Sequence, residues 1–392
     1  MAVYTHDEQY KQQTYQPPQP LSPPRIKKGM DGPLLFMVLL LMATGLLALF
    51  TASYVYSYYN NENSMYYFTR QGIFALAGIF CMLIISRINY HIYGFFHRYF
   101  FIGVLVLMYL TPFIGKTVKG AKRWIGFGET FRFQPSELMK VAVIISFSYV
   151  ASQMATEDLR TFRKGVMPFL EVLAVIAGAM VLQKHLSGTV IIFAIGLIVL
   201  FVAGIKIWYF VPVGVTGVFA AVAYILTNSY AQERVASWLD PFLDLRDTGW
   251  QAAMSHVAIG SGGIWGLGLG QGRQKQLYIP EPANDFVFSA WCEEMGLLGA
   301  TLILVMFGYL IYRGFYIARS SRDKFGCLLA TGISAKLAIQ ALMNLFVVTG
   351  IFPVTGAALP FFSYGGTALM IQLAEMGILL NISRFTVDTE QN

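Results

Sequence analysis

The chain has 392 residues, of which 56% are hydrophobic and only 12% are charged, and its formal net charge is +7. A soluble domain carries about a quarter charged residues, so this balance excludes an ordinary globular enzyme and reads as an integral membrane protein. So little soluble surface makes anionic lipid headgroups the expected partner of the positive charge, rather than nucleic acid, and no nucleic-acid motif is present.

Met1 to Met30 is polar and proline-rich (Gln16-Pro17-Pro18-Gln19-Pro20, then Pro23-Pro24). That composition predicts a disordered tail over 1–30, closed by Arg25, Lys27 and Lys28. The first apolar run, Pro33 to Val55, is too long for the core of a cleaved signal peptide and reads as a retained span. Further runs follow near 70–86, 99–115, 136–152, 167–183, 187–204, 207–227, 286–312, 327–350 and 363–383. At roughly 20 residues per span these predict an all-α membrane domain over 31–385 with about ten transmembrane helices. Both termini then lie on one side, with 386–392 as a second short tail.

The bias of Lys and Arg places that side in the cytoplasm, by a narrow margin. The margin is narrow because one outward loop carries Lys116, Lys119, Lys122, Arg123 and Arg132. A basic loop facing outward works against the usual rule, and an anionic ligand or anionic headgroups would account for it. The segment 228–285, between the seventh and eighth runs, is the long extracellular loop of this topology, and long loops without regular structure are uncommon unless functional. It holds Ile259-Gly260-Ser261-Gly262-Gly263 and Gly266-Leu267-Gly268-Leu269-Gly270. These glycines follow no strand of a nucleotide-binding unit; they fit close packing or a re-entrant turn buried in protein, and Gln251 to Ile259 is apolar enough to dip into the membrane. Cys81, Cys292 and Cys327 have no metal-type spacing and read as small buried hydrophobes.

Carboxylates stand immediately before the eighth run, at Glu281 and Asp285. An ionisable group at a membrane boundary must be hydrated, paired or used, so Asp285 is the leading candidate for function; its structural alternative is a helix cap. Glu293 and Glu294, farther into the same run, read as structural, at least one paired, with Lys336 of the ninth run as the candidate partner. Phe352-Pro353-Val354-Thr355-Gly356 and Leu359 to Gly366 form a Pro/Gly-rich loop, either a structural hairpin or a substrate lining.

Together these stretches resemble the SEDS family (shape, elongation, division and sporulation). The matching pieces are Lys119 to Ile125, Phe133-Gln134-Pro135-Ser136-Glu137, Ile259 to Gly270, Pro280-Glu281 followed by Asn284-Asp285-Phe286, and Pro353 to Gly366, in order along residues 31–384. The chain is most similar to the division and sporulation branch (FtsW and its spore relatives), with the elongation branch (RodA) the near alternative. It departs from the family's pattern at Lys184-His185-Leu186-Ser187-Gly188-Thr189, where many members carry an aspartate, and at Ala283-Asn284, where many have His-Thr. A carboxylate role at the first turn is therefore not expected, although His185 has hydrogen-bonding capacity there.

The resemblance implies a peptidoglycan glycosyltransferase that polymerises lipid II at the outer face of the bacterial cytoplasmic membrane. Asp285 is then the expected base for the acceptor hydroxyl. Arg123, Lys140, Arg132, Arg70 and Arg234, with Glu281, are the expected substrate-binding residues, the cations facing the departing pyrophosphate. Arg123 and Lys140 rank first, since a lysine one turn inside a span is costly to leave unpaired, whereas Arg70 and Arg234 have snorkelling as their alternative. The geometry expected is one outward-opening cavity shared by Asp285 with Arg123 or Lys140. No metal-ligand cluster is legible; a divalent cation would serve to screen the pyrophosphate. The partners implied are a class B penicillin-binding protein transpeptidase and other divisome membrane proteins. Two competing functions remain, a lipid II flippase and a non-catalytic division scaffold.

Overall fold

A computed structural model describes residues 29–118, 121–127, 131–242, 248–275, 278 and 282–386. Residues 1–28 and 387–392 of the expected tails, Lys119-Gly120 and Pro280-Glu281 lie outside the described residues.

The chain order is α1 (Gly32–Asn61), α2 (Tyr66–Ile85), α3 (His91–Ile114), then β1 (Lys116–Val118), β2 (Ala121–Phe127) and β3 (Phe131–Phe133). There follow α4 (Pro135–Gln153), α5 (Thr156–Leu159), a π-helical turn (Phe162–Val166), α6 (Met167–Leu182), α7 (Leu186–Ala203), α8 (Phe210–Thr227), α9 (Ser229–Leu239) and α10 (Thr248–Gly262). The last helices are α11 (Val287–Arg319), α12 (Lys324–Val348) and α13 (Gly366–Ser383). Among the described residues nine helices are long and apolar enough to cross a membrane. The tenth is α4, of similar length (19 residues) but less apolar, because it carries Glu137, Lys140 and four serines. Each expected run is thus a helix, and the molecule is a multi-pass membrane protein.

Two apolar cores fill the bundle. One gathers α1, α2, α11, α12 and α13 around residues such as Leu41, Phe307, Leu329 and Leu373; the other gathers α3, α4, α6 and α7 around Met108, Phe147, Leu173 and Val199. α4 and α12 pack together where the cores meet. Caps mark where helices leave apolar surroundings: Asp31 accepts from the Leu34 N–H (2.9 Å) and ion-pairs with Arg313, while Asp323 accepts from the Gly326 N–H (3.1 Å). These caps lie at one end of the bundle, and Asp285 at the other.

Two features depart from an all-α chain with an irregular long loop. The basic stretch 116–133 is a three-stranded antiparallel sheet, with Thr117 opposite Lys122 and Gly126 opposite Arg132. Trp124, Ile125, Phe131 and Phe133 supply its β-formers, a short-range pattern hidden by the loop's charge. The segment 228–285 contains α9 and α10, and Asn228 caps α9 by accepting from the Ala231 N–H (3.3 Å). Cys81, Cys292 and Cys327 are free thiols, of which Cys292 is buried.

The glycine-rich stretch after α10 is stitched to α11. α11 breaks at Gly296 (φ 62°, ψ −163°), and across the break the two segments exchange backbone hydrogen bonds. Leu267 and Gly268 donate to the Glu293 and Glu294 carbonyls (3.0 and 2.9 Å), while Leu297 donates to the Gly263 carbonyl (2.9 Å). Gly296 lies about 14 Å along α11 from Val287, so the glycine turn meets α11 well along its length; the expectation was close packing or a buried re-entrant turn, and the contact is close while Ile264, Trp265 and Leu269 stay exposed. Glu293 accepts from the Arg273 and Gln274 N–H groups (2.9 and 3.1 Å) and Glu294 pairs with Lys275 (2.6 Å), both carboxylates buried. Lys336, expected opposite these glutamates, pairs instead with Glu375 of α13 (2.7 Å), while the glutamates of α11 are taken up by the re-entrant segment.

Candidate active site

The centre of the Asp285 end is the Pro/Gly-rich loop between α12 and α13. Its bends need proline's fixed φ at Pro353 and Pro360 and glycine's positive φ at Gly350 (77°) and Gly356 (74°). Few of its backbone groups bond each other, so side chains from the surrounding helices satisfy them. Gln340 donates to the Ala358 carbonyl (3.3 Å), Asn344 to Ala357 (2.7 Å), Ser187 to Thr355 (3.1 Å) and Trp238 to Gly350 (2.8 Å), and Arg234 reaches the Val354 carbonyl. Buried Gln71 brackets the exit, donating to the Ser363 carbonyl and accepting from the Gly365 N–H, both at 3.2 Å.

Asp285 is tied to this loop. Asn344 donates to the Asp285 carbonyl (2.8 Å) with the same amide group that holds Ala357, and the Tyr364 N–H donates to the Ala283 carbonyl (2.8 Å). The Asp285 carboxylate is partly exposed and faces Gly356: a Cβ placed there would lie 3.5 Å from Oδ2. The residue immediately before α11 is Phe286, with Asp285 one position ahead of it.

Lys140 joins the same loop from below. It is buried, pairs with Glu137 at 2.6 Å and donates to Gln340 Oε1 at 3.3 Å, and Gln340 is the residue that holds Ala358. Lys336 pairs with Glu375 and also donates to Gln372 (3.0 Å). Lys336, Gln340 and Asn344 are spaced by four and share one face of α12. They form a polar ladder about 12 Å long from the interior pair to the Asp285 carbonyl. Gln71, Ser187, Gln340 and Asn344 were not among the expected site residues. Their signal was available as amide and hydroxyl side chains within apolar runs, but single polar residues in spans are too common to select without the fold.

The remaining expected residues surround this centre unevenly. Arg123, on β2, reaches over the turn between α6 and α7 to the Gln183 carbonyl (3.2 Å) and the Lys184 carbonyl. Arg132 is exposed on β3, where its carbonyl accepts from Thr367 of α13 (3.0 Å). Arg70 stacks over the Tyr66 ring (4.7 Å to its centroid) and bonds the Tyr66 hydroxyl, within an aromatic group that includes Tyr67 and Tyr364. Arg234 comes from α9. The six-residue set expected to bind substrate is thus spread around the loop, except Glu281, which lies outside the described residues.

His185 accompanies Arg123. Its Nδ1 lies 3.4 Å from the Gln134 amide, and part of the ring stays accessible. Desolvation by its surroundings, helped by the nearby positive charges of Arg123 and Lys140, pushes its pKa down to about 3. It is therefore a neutral hydrogen-bonding group at the turn where it replaces a carboxylate.

The same arrangement has relatives. The family model described as FTSW_RODA_SPOVE, Cell cycle protein, matches residues 33–388. This chain belongs to that family. It is 37% identical to stage V sporulation protein E of Bacillus subtilis (strain 168) over 365 residues, 92% of this chain and 98% of the relative. It is 36% identical to the probable peptidoglycan glycosyltransferase FtsW of Geobacter sp. (strain M18) over 358 residues, 91% and 97% of the two chains. Among solved structures it is similar, at a TM-score of 0.76 and 26% identity, to a chain described as "Structural coordination of polymerization and crosslinking by a peptidoglycan synthase complex", covering 93% of this chain and 99% of that one. The rod shape determining protein RodA of Thermus thermophilus shares the fold at a TM-score of 0.67 and 24% identity, covering 93% and 98%. Membership of the FtsW/RodA/SpoVE family agrees with the motifs quoted above, and the two sequence relatives named are a sporulation protein and an FtsW.

Proposed function

We propose that this chain is a peptidoglycan glycosyltransferase that polymerises lipid II into glycan strands, with its Asp285 end at the outer face of the bacterial cytoplasmic membrane and both termini in the cytoplasm. The observation that carries the reading is the convergence of α2, α7, α9 and α12 on one loop that faces the partly exposed Asp285 carboxylate. In this mechanism Asp285 takes the proton of the acceptor sugar's hydroxyl as its oxygen attacks the anomeric carbon of the donor. The bond to the lipid pyrophosphate breaks, its electron pair leaves with the phosphate, and the anomeric centre inverts.

The pyrophosphate then needs positive charge around it. Arg132 and Arg70 at the edge of the site, Arg234 against its Val354 carbonyl, Arg123 at the neighbouring turn between α6 and α7, and Lys140 beneath it are the groups we assign to that task. Lys140, held by Glu137 and Gln340, acts from inside the bundle by its field and by fixing Ala358. Among the described residues no three His, Cys, Asp or Glu side chains gather to hold a metal ion, so a divalent cation that screens the pyrophosphate would enter with the substrate. The isoprenoid needs a lateral opening to lipid. The flank of α8 fits that need, because none of its residues is buried and α9, which follows it, carries Arg234 to the site.

The flippase alternative calls for ionisable groups along a path through the spans. The interior charges Lys140, Lys336 and Glu294 are each paired, which favours a rigid scaffold for chemistry over a charged path. The partner we propose is a class B transpeptidase; the similarity to a chain from a complex of polymerisation and crosslinking supports this. The test is purified protein with lipid II: Asp285→Asn should lower glycan polymer at least 10²-fold with an unchanged thermal unfolding midpoint. Polymer yield equal to the parent protein would reject Asp285 as the base.

A further inference from the structure

At the end of the bundle opposite Asp285 a groove of about 310 Å³ opens between α3, α4 and the start of α6. Its floor is apolar, formed by Phe101, Phe147, Phe169 and Val172, and its mouth carries Arg98 and Lys164. The polymerase mechanism uses none of these residues. Arg98 is exposed and, among the described residues, has no carboxylate partner; Lys164 is 71% exposed and its ion pair with Asp158 (3.1 Å) is itself open to water. An exposed pair of this kind holds its lysine weakly. Arg160 and Arg163 lie on the same short segment as Lys164, so the mouth is basic overall although Glu157 and Asp158 are nearby.

A long arginine on the flank of a spanning helix usually snorkels to the headgroup layer beside a flat, lipid-facing surface. Here the surface beneath it is concave, in the volume range of small-molecule pockets, and its lining is mostly apolar, with Ser146, whose hydroxyl turns to the His97 carbonyl, and His97 as its polar members besides the basic mouth. The depth supports the same reading: from Lys164 to Val172 the groove follows the first turns of the spanning segment, about 12 Å, the reach of several acyl carbons below a headgroup.

We propose that this groove is a binding site for one anionic phospholipid, its phosphate between Arg98 and Lys164 and an acyl chain over Phe101, Phe147 and Phe169. The charge requirement is specific. A zwitterionic lipid offers the same chain but brings a cation to a basic mouth, whereas each basic residue near a membrane surface favours an anionic headgroup several-fold. The site does not depend on the polymerase reading, because occupancy needs no turnover.

The test is native mass spectrometry of the full chain released from micelles containing equal phosphatidylglycerol and phosphatidylcholine. The parent protein is expected to retain one phosphatidylglycerol with a preference on the order of tenfold. Two variants should lose that adduct by different routes: R98Q with K164Q removes the charge, and V172W fills the floor with the charges intact. Unfolding midpoints in phosphatidylcholine alone, close to the parent's, show that both variants are folded. Equal retention of the two lipids, or an unchanged adduct in both variants, would overturn the proposal. So would displacement of phosphatidylglycerol by an equimolar polyprenyl phosphate, which would assign the groove to the substrate's carrier lipid instead.

Discussion

The backbone of Asp285 is held by a residue 59 positions away in the chain. Its carbonyl and the Ala357 carbonyl share the Asn344 amide, so the carboxylate is placed by a side chain from α12. The interior pair at the foot of the same ladder is a second matter of position. Lys336 and Glu375 are each 1% exposed, and removing one partner of a buried pair leaves an uncompensated charge that costs about 3–5 kcal/mol. Lys336→Met should therefore lower the thermal unfolding midpoint sharply, and Lys336→Met with Glu375→Leu should recover most of the loss. Equal midpoints for the single and double variants would contradict the pairing. His185 contributes a pH dependence of definite sign. Its folded pKa of about 3 lies below the ordinary value of 6.5, so below pH 6.5 the unfolded chain takes up a proton that the folded chain refuses. Stability should then fall with pH from 6.5 toward 3, by at most about 1.4 kcal/mol per pH unit, less for a ring that keeps some access to water. His185→Gln should show a flatter midpoint between pH 6.5 and 5 than the parent protein.

At the scale of elements, the broken α11 and its re-entrant partner form one unit. Gly266 (φ 80°) sits against the Glu294 carbonyl and Gly296 (φ 62°) against the Ile264 carbonyl, so a side chain at either is excluded by contact and by backbone conformation alike. Gly266→Ala or Gly296→Ala should each cost about 2 kcal/mol or more. Gly260, in α10, has nothing near its would-be Cβ, and Gly260→Ala should leave stability unchanged or raise it by up to about 1 kcal/mol through helix propensity. Unfolding midpoints of the three variants measured together check the contrast. The glycines themselves were legible as a re-entrant signal. That the segment docks onto a break in α11 was not, because Gly296 reads as an ordinary small residue of a transmembrane helix.

For the whole molecule the proposed orientation makes a prediction about access from each side of the membrane. With the Asp285 end outside, a thiol at Lys122→Cys on β2 should react in intact cells with a reagent that cannot cross the membrane. Arg322→Cys, exposed at the opposite end, should react only after lysis, and the reverse pattern would invert the topology. Ten helices, the multi-pass class and the family were readable from the apolar runs and the ordered motifs, because span length and backbone satisfaction in lipid are local requirements of each stretch. Asp285 was readable as a carboxylate just ahead of the eighth run, and its role as base is a proposal. Pairing was not readable. Lys336 chose Glu375 over Glu293 and Glu294, Lys140 chose Glu137 and Gln340, and Arg123 chose the carbonyls between α6 and α7. Each choice depends on which helices become neighbours, and neighbours in a bundle are set by packing between segments far apart in the chain. The sequence by itself determined the spans and the charge at the mouth of the eighth. Only the tertiary structure decided that the loop before α13, held by side chains from α2, α7, α9 and α12, is the surface Asp285 faces, because a loop that cannot satisfy its own backbone must borrow its partners from the fold around it.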